Sequence, residues 1–66
     1  FQVKELYEKL EKLPPRERVI ICLRYGLGPY DRTTQREIAE KLHISRSYVS
    51  RIEKKALERL RAEMEQ

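Results

Sequence analysis

Two signals for the start of a helix stand close together in the second half of this 66-residue chain. Thr34 and Glu37 have the spacing of a capping box, in which each side chain accepts a hydrogen bond from the other residue's backbone N–H. Ser45 is a second candidate N-cap, because serine is among the residues preferred there. The link between the two helices, residues 42–44, is about three residues long, too short for antiparallel packing. The spacing therefore predicts a helix-turn-helix over roughly residues 35–54.

An apolar set accompanies the motif and would fix the angle between its two helices. It contains Ile38, Ala39, Leu42, Ile44, Val49 and Ile52. Ala39 is small where the helices approach most closely, and Ile44 and Val49 flank Ser45 at the positions of a hydrophobic staple. We expect these six residues to form the core of the helix-turn-helix.

The outward face of the second helix is polar and basic over its first two turns. It carries Arg46, Ser47, Ser50 and Arg51, with Lys54 one turn further on. Arginine offers a bidentate fork to guanine O6 and N7, and short serines allow close approach to base edges. Because this helix of a helix-turn-helix enters the major groove with its N-terminal residues, we predict that the first four residues read bases.

Charge alone does not establish a nucleic-acid site, since a basic stretch on a helix is more often a solvated surface. The net charge is +4, from 15 Lys and Arg against 11 Asp and Glu, and most of the excess lies in the half that holds the motif. The turn spacing and the two caps shift the balance in favour of DNA. Exposed N–H groups near Thr34, Gln35 and Ser45 would add phosphate contacts.

Two further helices are predicted before the motif. Apolar residues recur at steps of three and four over residues 3–13, and Pro14 and Pro15 end this pattern. A second helix is predicted from about Pro15 to Tyr25, with Gly26 in a left-handed cap.

The last helix should continue past Leu60, because its apolar stripe extends to Met64. The predicted fold class is therefore all-α, a compact four-helix domain with a C-terminal helix-turn-helix and without winged elements.

Other function classes find little support in these residues. One cysteine, Cys22, and one histidine, His43, cannot build a four-ligand zinc site. No paired carboxylates, nucleophile–His–acid set or Gly-rich phosphate loop stands out, so we expect neither an enzyme nor a bound cofactor. No apolar run approaches the ~20 residues that span a bilayer. A lone cysteine fits a reducing cytoplasm, and a start at Phe1 suggests that residues 1–66 are one domain of a longer protein.

Four sequence blocks stand out together, and they read LPPRER at residues 13–18, LRYGL at 23–27, TQREIA at 34–39 and ISRSYVSRIEKKAL at 44–57. These blocks resemble region 4 of the sigma-70 family of bacterial RNA polymerase sigma factors. The resemblance covers almost the whole chain, and residues 45–57 look most similar to sporulation-type members. It implies a promoter-recognition module that reads the minus-35 element of double-stranded promoter DNA and contacts the beta-subunit flap of the polymerase core.

The resemblance also implies roles for individual residues. The residues that would read bases are Arg46, Ser47, Ser50 and Arg51. The residues that would contact DNA phosphates are Arg16, Arg24, Thr34 and Gln35. Lys54 and Lys55 fall near a surface that some activators touch, and an anti-sigma factor is a further partner of this kind. The flap groove, formed mainly by the first two helices, would draw on apolar residues such as Leu6, Leu10, Ile20, Leu23 and Leu60.

Three positions depart from the family pattern. Ser47 stands where housekeeping members carry an acidic residue, and Arg51 stands where they carry glutamine, so we expect a different minus-35 preference. His43 stands where the turn usually has glycine. Because histidine is among the residues that tolerate positive φ, mild strain is expected there rather than a lost turn.

Two other functions remain open from the sequence. One is a stand-alone regulator or a response-regulator output domain, which uses a similar four-helix core. Such regulators usually act as dimers, whereas this chain has no obvious dimer helix and is expected to be a monomer. The other is a helical protein-interaction module whose basic face is merely solvated.

Overall fold

The computed structural model describes residues 3–65, which form four helices in the predicted order. They are α1 (Val3–Leu10), α2 (Pro15–Tyr25), α3 (Gln35–Leu42) and α4 (Arg46–Met64). No strand occurs between residues 3 and 65. The all-α, four-helix class predicted from the sequence is confirmed, as is the continuation of α4 past Leu60.

α1 is shorter than its apolar pattern predicts. The pattern extends to Leu13, but the helix ends at Leu10, and residues 11–13 form a turn in which the Leu13 N–H donates to the Leu10 carbonyl at 3.0 Å. Pro14 explains the early end, because a residue that precedes proline is disfavoured in the helical conformation. Leu13 is nevertheless buried, so the turn contributes to the core.

The end of α2 depends on a glycine, as predicted. Gly26 has φ 64° and ψ 45°, and its N–H donates to the Cys22 carbonyl. A Cβ at this position would lie 3.0 Å from the Arg32 backbone nitrogen, so glycine is needed for both conformation and space. The following loop is tied to α1, because the Gly28 N–H donates to the Tyr7 hydroxyl at 2.8 Å.

The core has two parts, and α4 contributes to both. Between α2, α3 and α4 lie Ile20, Leu23, Ile38, Ala39, Val49 and Ile52. Between α1, the following turn, α2 and α4 lie Leu10, Leu13, Ile21 and Ala56. Helices shorter than about 12–15 residues are marginal in water by themselves. The eight-residue α1 and α3 are therefore held by packing against the longer helices, where each fully buried Leu or Ile contributes about 1.5–3 kcal/mol.

Candidate nucleic-acid interface

The start of α3 carries the capping box predicted from the sequence. The Glu37 N–H donates to the Thr34 hydroxyl at 3.1 Å, and the Thr34 N–H donates to the Glu37 carboxylate at 3.2 Å. The Thr34 hydroxyl also donates to this carboxylate at 2.9 Å. The Thr34 hydroxyl first, and the backbone N–H second, hold the pKa of the Glu37 carboxyl below its ordinary value. The box satisfies donors that a helix start leaves free and fixes where α3 begins.

The turn between α3 and α4 passes through a left-handed histidine. His43 has φ 57° and ψ 44° and is exposed, and its N–H donates to the Ala39 carbonyl. The Ile44 N–H reaches the same carbonyl at 3.1 Å. The expected positive φ is thus present, and the turn is kept without glycine.

The start of α4 is capped by Ser45. Its hydroxyl oxygen accepts from the Tyr48 N–H at 3.1 Å and lies 3.2 Å from the Ser47 hydroxyl. The first turn of α4 contains no acidic residue, in contrast to that of α3. The partial positive charge at this helix end is therefore not neutralised by a carboxylate of its own, which favours an anionic partner.

The four predicted base-reading residues share one accessible surface at the start of α4. Arg46, Ser47, Ser50 and Arg51 are all exposed, while Val49 and Ile52 of the same helix face the core. The Arg51 guanidinium lies 5.8 Å from the centre of the Tyr48 ring. A cation–π contact of this kind is worth about 0.5–1 kcal/mol at an exposed site and restrains the arginine.

The six predicted core residues of the helix-turn-helix lie in one cluster. Ile38, Ala39, Val49 and Ile52 are buried, and Leu42 and Ile44 pack against them while partly exposed. This cluster sets how α3 and α4 cross, and thereby which residues of α4 face outward.

Arg16 is the predicted phosphate-contacting residue that lies beside the base-reading surface. It is exposed at the start of α2 and lines a shallow groove with Tyr48, Arg51 and Lys55. Three cations from two helices border this groove, and the Glu17 carboxylate, which lies 3.2 Å from the Arg59 Nε, also lines it. Such an arrangement can accept a phosphate next to the bases that α4 would reach.

Arg24 and Gln35, two other predicted phosphate-contacting residues, are held by a carboxylate that sequence reasoning missed. Glu53 of α4 accepts from Gln35 Nε2 at 2.8 Å, and the Arg24 Nε lies 3.4 Å from the same oxygen. The other oxygen accepts from the Tyr25 hydroxyl at 3.3 Å. Burial first, and Glu53 second, raise the pKa of Tyr25. The sequence could have indicated that Glu53 faces the core, because it stands four residues after Val49 on the inward side of α4.

A second surface, which we call the α1/α4 groove, lies on a different part of the molecule. It measures about 530 Å³, and its lining consists of Glu5, Leu6, Lys9, Leu57, Leu60, Arg61 and Met64. The lining residues lie on α1 and α4, and α2 contributes none of them. Leu10, Ile20 and Leu23 are not available to a partner either, because they are buried in the core.

Neither a metal-ligand cluster nor a membrane-spanning helix occurs among the described residues. Between residues 3 and 65 no group of three His, Cys, Asp or Glu side chains is placed to hold a metal ion. Within the same residues, every helix is too short or too polar to cross a membrane.

Comparison with known proteins gives a consistent result. The model of the family described as Sigma-70, region 4 matches residues 10–62. The chain is similar to the RNA polymerase sigma-28 factor of Bacillus thuringiensis subsp. kurstaki, with 52% identity over 56 residues that cover 85% of this chain and 24% of that protein. It is also similar to the RNA polymerase sigma-E factor of Clostridium acetobutylicum, with 49% identity over 55 residues that cover 83% and 23%.

The RNA polymerase sigma-K factor of Bacillus subtilis is 48% identical over 56 residues, which cover 85% of this chain and 19% of that protein. The chain thus spans about a quarter or less of the length of these curated relatives. No solved structure gives a significant match.

Proposed function

This chain belongs to the sigma-70 family as a region 4 domain, and we propose on that premise that it recognises the minus-35 element of bacterial promoters. In this proposal it is one part of a longer sigma factor and directs RNA polymerase to start transcription. The observation that carries the proposal is the Ser45-capped start of α4, which presents Arg46, Ser47, Ser50 and Arg51 together on one exposed surface.

These four residues read base edges in the major groove. A good bidentate pair between arginine and guanine is worth about 1–3 kcal/mol, or about five- to 150-fold in discrimination. Arg51 is suited to this because the Tyr48 ring restrains its guanidinium before DNA arrives. Ser47 and Ser50 are short enough to let the backbone of α4 approach the bases.

Phosphate contacts on both sides of α4 hold the domain on the duplex. On one side Arg16 lies in the groove that also contains Arg51. On the other side Thr34 and Gln35 mark the start of α3, and Arg24 lies near Gln35, because both contact Glu53. These contacts supply affinity and register rather than sequence choice.

The α1/α4 groove contacts the beta-subunit flap of the polymerase core in this proposal. Leu6, Leu57 and Leu60 give it an apolar lining, and an apolar groove of this kind accommodates a partner's apolar side chains. A flap peptide should therefore shift amides of α1 and the later turns of α4 without shifting Ser45. Leu57→Gln, which keeps the net charge, should weaken that peptide and leave DNA binding unchanged; the opposite result would exclude this groove as the flap site.

The proposal also covers the state of the domain and its further partners. The domain acts as a non-catalytic monomer, at promoter DNA in the bacterial cytoplasm. Lys54 and Lys55 are exposed on α4 and provide a surface for an activator or an anti-sigma factor.

The test is an NMR titration of the 15N-labelled chain at low salt with two short duplexes. One duplex carries a candidate minus-35 element, and the other is its scrambled counterpart. We expect shift changes at Thr34, Gln35 and residues 45–51 that differ between the duplexes. An absence of change with both duplexes would contradict the proposal and favour the protein-interaction alternative.

A matched pair of variants separates base reading from phosphate contact. Arg51→Ala should reduce the preference for the cognate duplex, while Arg16→Ala should weaken both duplexes alike. Because each neutralised phosphate adds about 0.9 to the salt slope, Arg16→Ala should lower the slope by about one. Uniform weakening by both variants would show that the two residues do not have separate roles.

A further inference from the structure

Glu53 lies behind the residues that we place on the DNA backbone. Its side chain is 11% exposed and connects α4 to α2 and α3. One carboxylate oxygen serves Gln35 at 2.8 Å and Arg24 at 3.4 Å, and the other accepts from the Tyr25 hydroxyl at 3.3 Å. A single carboxylate on α4 thereby holds side chains from α2 and from the first turn of α3.

Stability alone is a weak reason for such a group. Removing a carboxylate and a guanidinium from water is costly, and apolar residues of similar volume often replace a buried ion pair without loss. The Arg24 contact is also imperfect, because its inaccessible Nε approaches Glu53 without forming a hydrogen bond. The arrangement is better explained by what it does to the side chains that it holds.

Glu53 restrains the Arg24 guanidinium from two directions. It pairs with the Nε edge directly, and it holds the hydroxyl of Tyr25, whose ring lies 5.8 Å from the same guanidinium. The Arg24 side chain is still 29% exposed, and its fork has four further N–H donors. The Gln35 amide likewise has a second N–H, and Gln35 is the first residue of α3.

We propose that Glu53 is a positioning residue that orients Arg24 and Gln35 for contact with DNA phosphates. The inference rests on the proposed function and adds a residue that touches no DNA itself. Glu53 is on the same helix as the base-reading surface, so it also sets the phosphate contacts of α2 and α3 relative to the bases that α4 reads. Pre-ordered side chains lose less conformational freedom on binding, which is the source of the expected gain in affinity.

Glu53→Gln tests this inference, because it keeps the shape of the side chain and removes its charge. The variant carries one more net positive charge, so electrostatic attraction alone would tighten its binding to any DNA. We expect the opposite, about tenfold weaker binding to the cognate duplex, since charge-assisted contacts are lost. Fluorescence anisotropy at fixed salt measures this, and thermal unfolding is recorded on the same samples.

A double variant, Arg24→Ala with Gln35→Ala, distinguishes positioning from a structural role. In that background Glu53→Gln should change the dissociation constant less than about twofold, because the residues that it positions are absent. A structural role would weaken binding equally in both backgrounds and would overturn the inference. Unchanged or tighter binding by Glu53→Gln alone would also overturn it.

A milder variant keeps the inference testable if Glu53→Gln fails to fold. Tyr25→Phe removes only the hydroxyl contact from a ring that is 45% exposed. It should weaken cognate binding about two- to threefold, as expected for loss of one modest hydrogen bond, and should have no effect in the double variant. An unchanged dissociation constant would refute the positioning role. If the wild-type chain binds neither duplex, the proposed function itself fails, and this result is distinct from a failure of Glu53→Gln alone.

Discussion

Replacing Ser45 with alanine removes the oxygen that accepts the Tyr48 N–H at 3.1 Å. That N–H is one of the donors for which a helix start has no internal partner. Loss of a serine N-cap costs about 0.5–2 kcal/mol. Ser45 is exposed, so water can replace the lost contact, and we expect the lower half of this range, about 0.5–1 kcal/mol. In a domain of this size such a loss corresponds to a decrease in Tm of about 2–8 °C.

Ser50→Ala is the matched control, because it removes the same hydroxyl oxygen from a residue inside α4 rather than from its N-cap. Ser50 is exposed inside α4 and is not at its start. Alanine has the higher helix propensity, by up to about 0.7 kcal/mol, so Ser50→Ala should leave Tm unchanged or raise it slightly. Its effect should appear in DNA binding instead, because we place Ser50 among the base-reading residues.

Thermal unfolding followed by circular dichroism, together with anisotropy titrations of the cognate duplex, separates the two variants. Ser45→Ala should lower Tm and weaken DNA binding, since a frayed first turn no longer presents Arg46 in one place. Ser50→Ala should weaken only the binding. Equal changes in Tm for the two variants, or no decrease for Ser45→Ala, would refute the view that this cap holds the start of α4.

Three further predictions concern backbone strain and pH. His43→Gly relieves a left-handed conformation that costs a non-glycine residue roughly 1–2 kcal/mol, but it also gives the unfolded chain more freedom, about 0.4–1 kcal/mol. Chemical denaturation should therefore show a free energy of unfolding between unchanged and about 1.6 kcal/mol higher, and a large drop would contradict this. Gly26→Ala should lower the free energy of unfolding by more than about 1 kcal/mol, because a strained φ adds to the 3.0 Å contact between the new Cβ and the Arg32 backbone nitrogen. A variant as stable as the wild type would show that the loop shifts freely. Because the pKa of Glu37 is lowered in the folded state, its contribution to stability is complete above the ordinary pKa of the carboxyl and is lost as pH falls through the pKa of the folded state. Glu37→Gln should therefore reduce the decrease of Tm at acid pH. A dependence of Tm on pH identical to that of the wild type would rule out this contribution.

Local signals were sufficient for most of the fold. The capping box at Thr34, the N-cap at Ser45 and the left-handed Gly26 each involve residues within a few positions of one another, so their physics is present in the sequence itself. Apolar periodicity placed α2, α3 and α4 correctly. It extended α1 too far, because the pattern continues through Leu13 while Pro14 already opposes a helical conformation at the preceding residue.

The placement of the outward face of α4 also came from sequence, for a physical reason that is local. Once Ser45 starts the helix, the period of 3.6 residues determines that positions 49 and 52 share the core side and that Arg46, Ser47, Ser50 and Arg51 do not. Which bases these residues read depends on a partner duplex and is not determined by the chain alone.

Features that join residues far apart in the chain came from the packing of the four helices. Periodicity does not predict that Arg24 and Gln35 contact the carboxylate of Glu53. It also does not predict that Leu10, Ile20 and Leu23 are buried in the core and so are not accessible to a partner. It also cannot say that the accessible apolar groove lies between α1 and α4. Local signals predicted the starts of α2, α3 and α4 and the apolar side of each helix, since these depend on hydrogen bonds and spacing within one helix. The packing of the four helices determines that Glu53 holds Arg24. It also determines which apolar residues stay accessible in the α1/α4 groove.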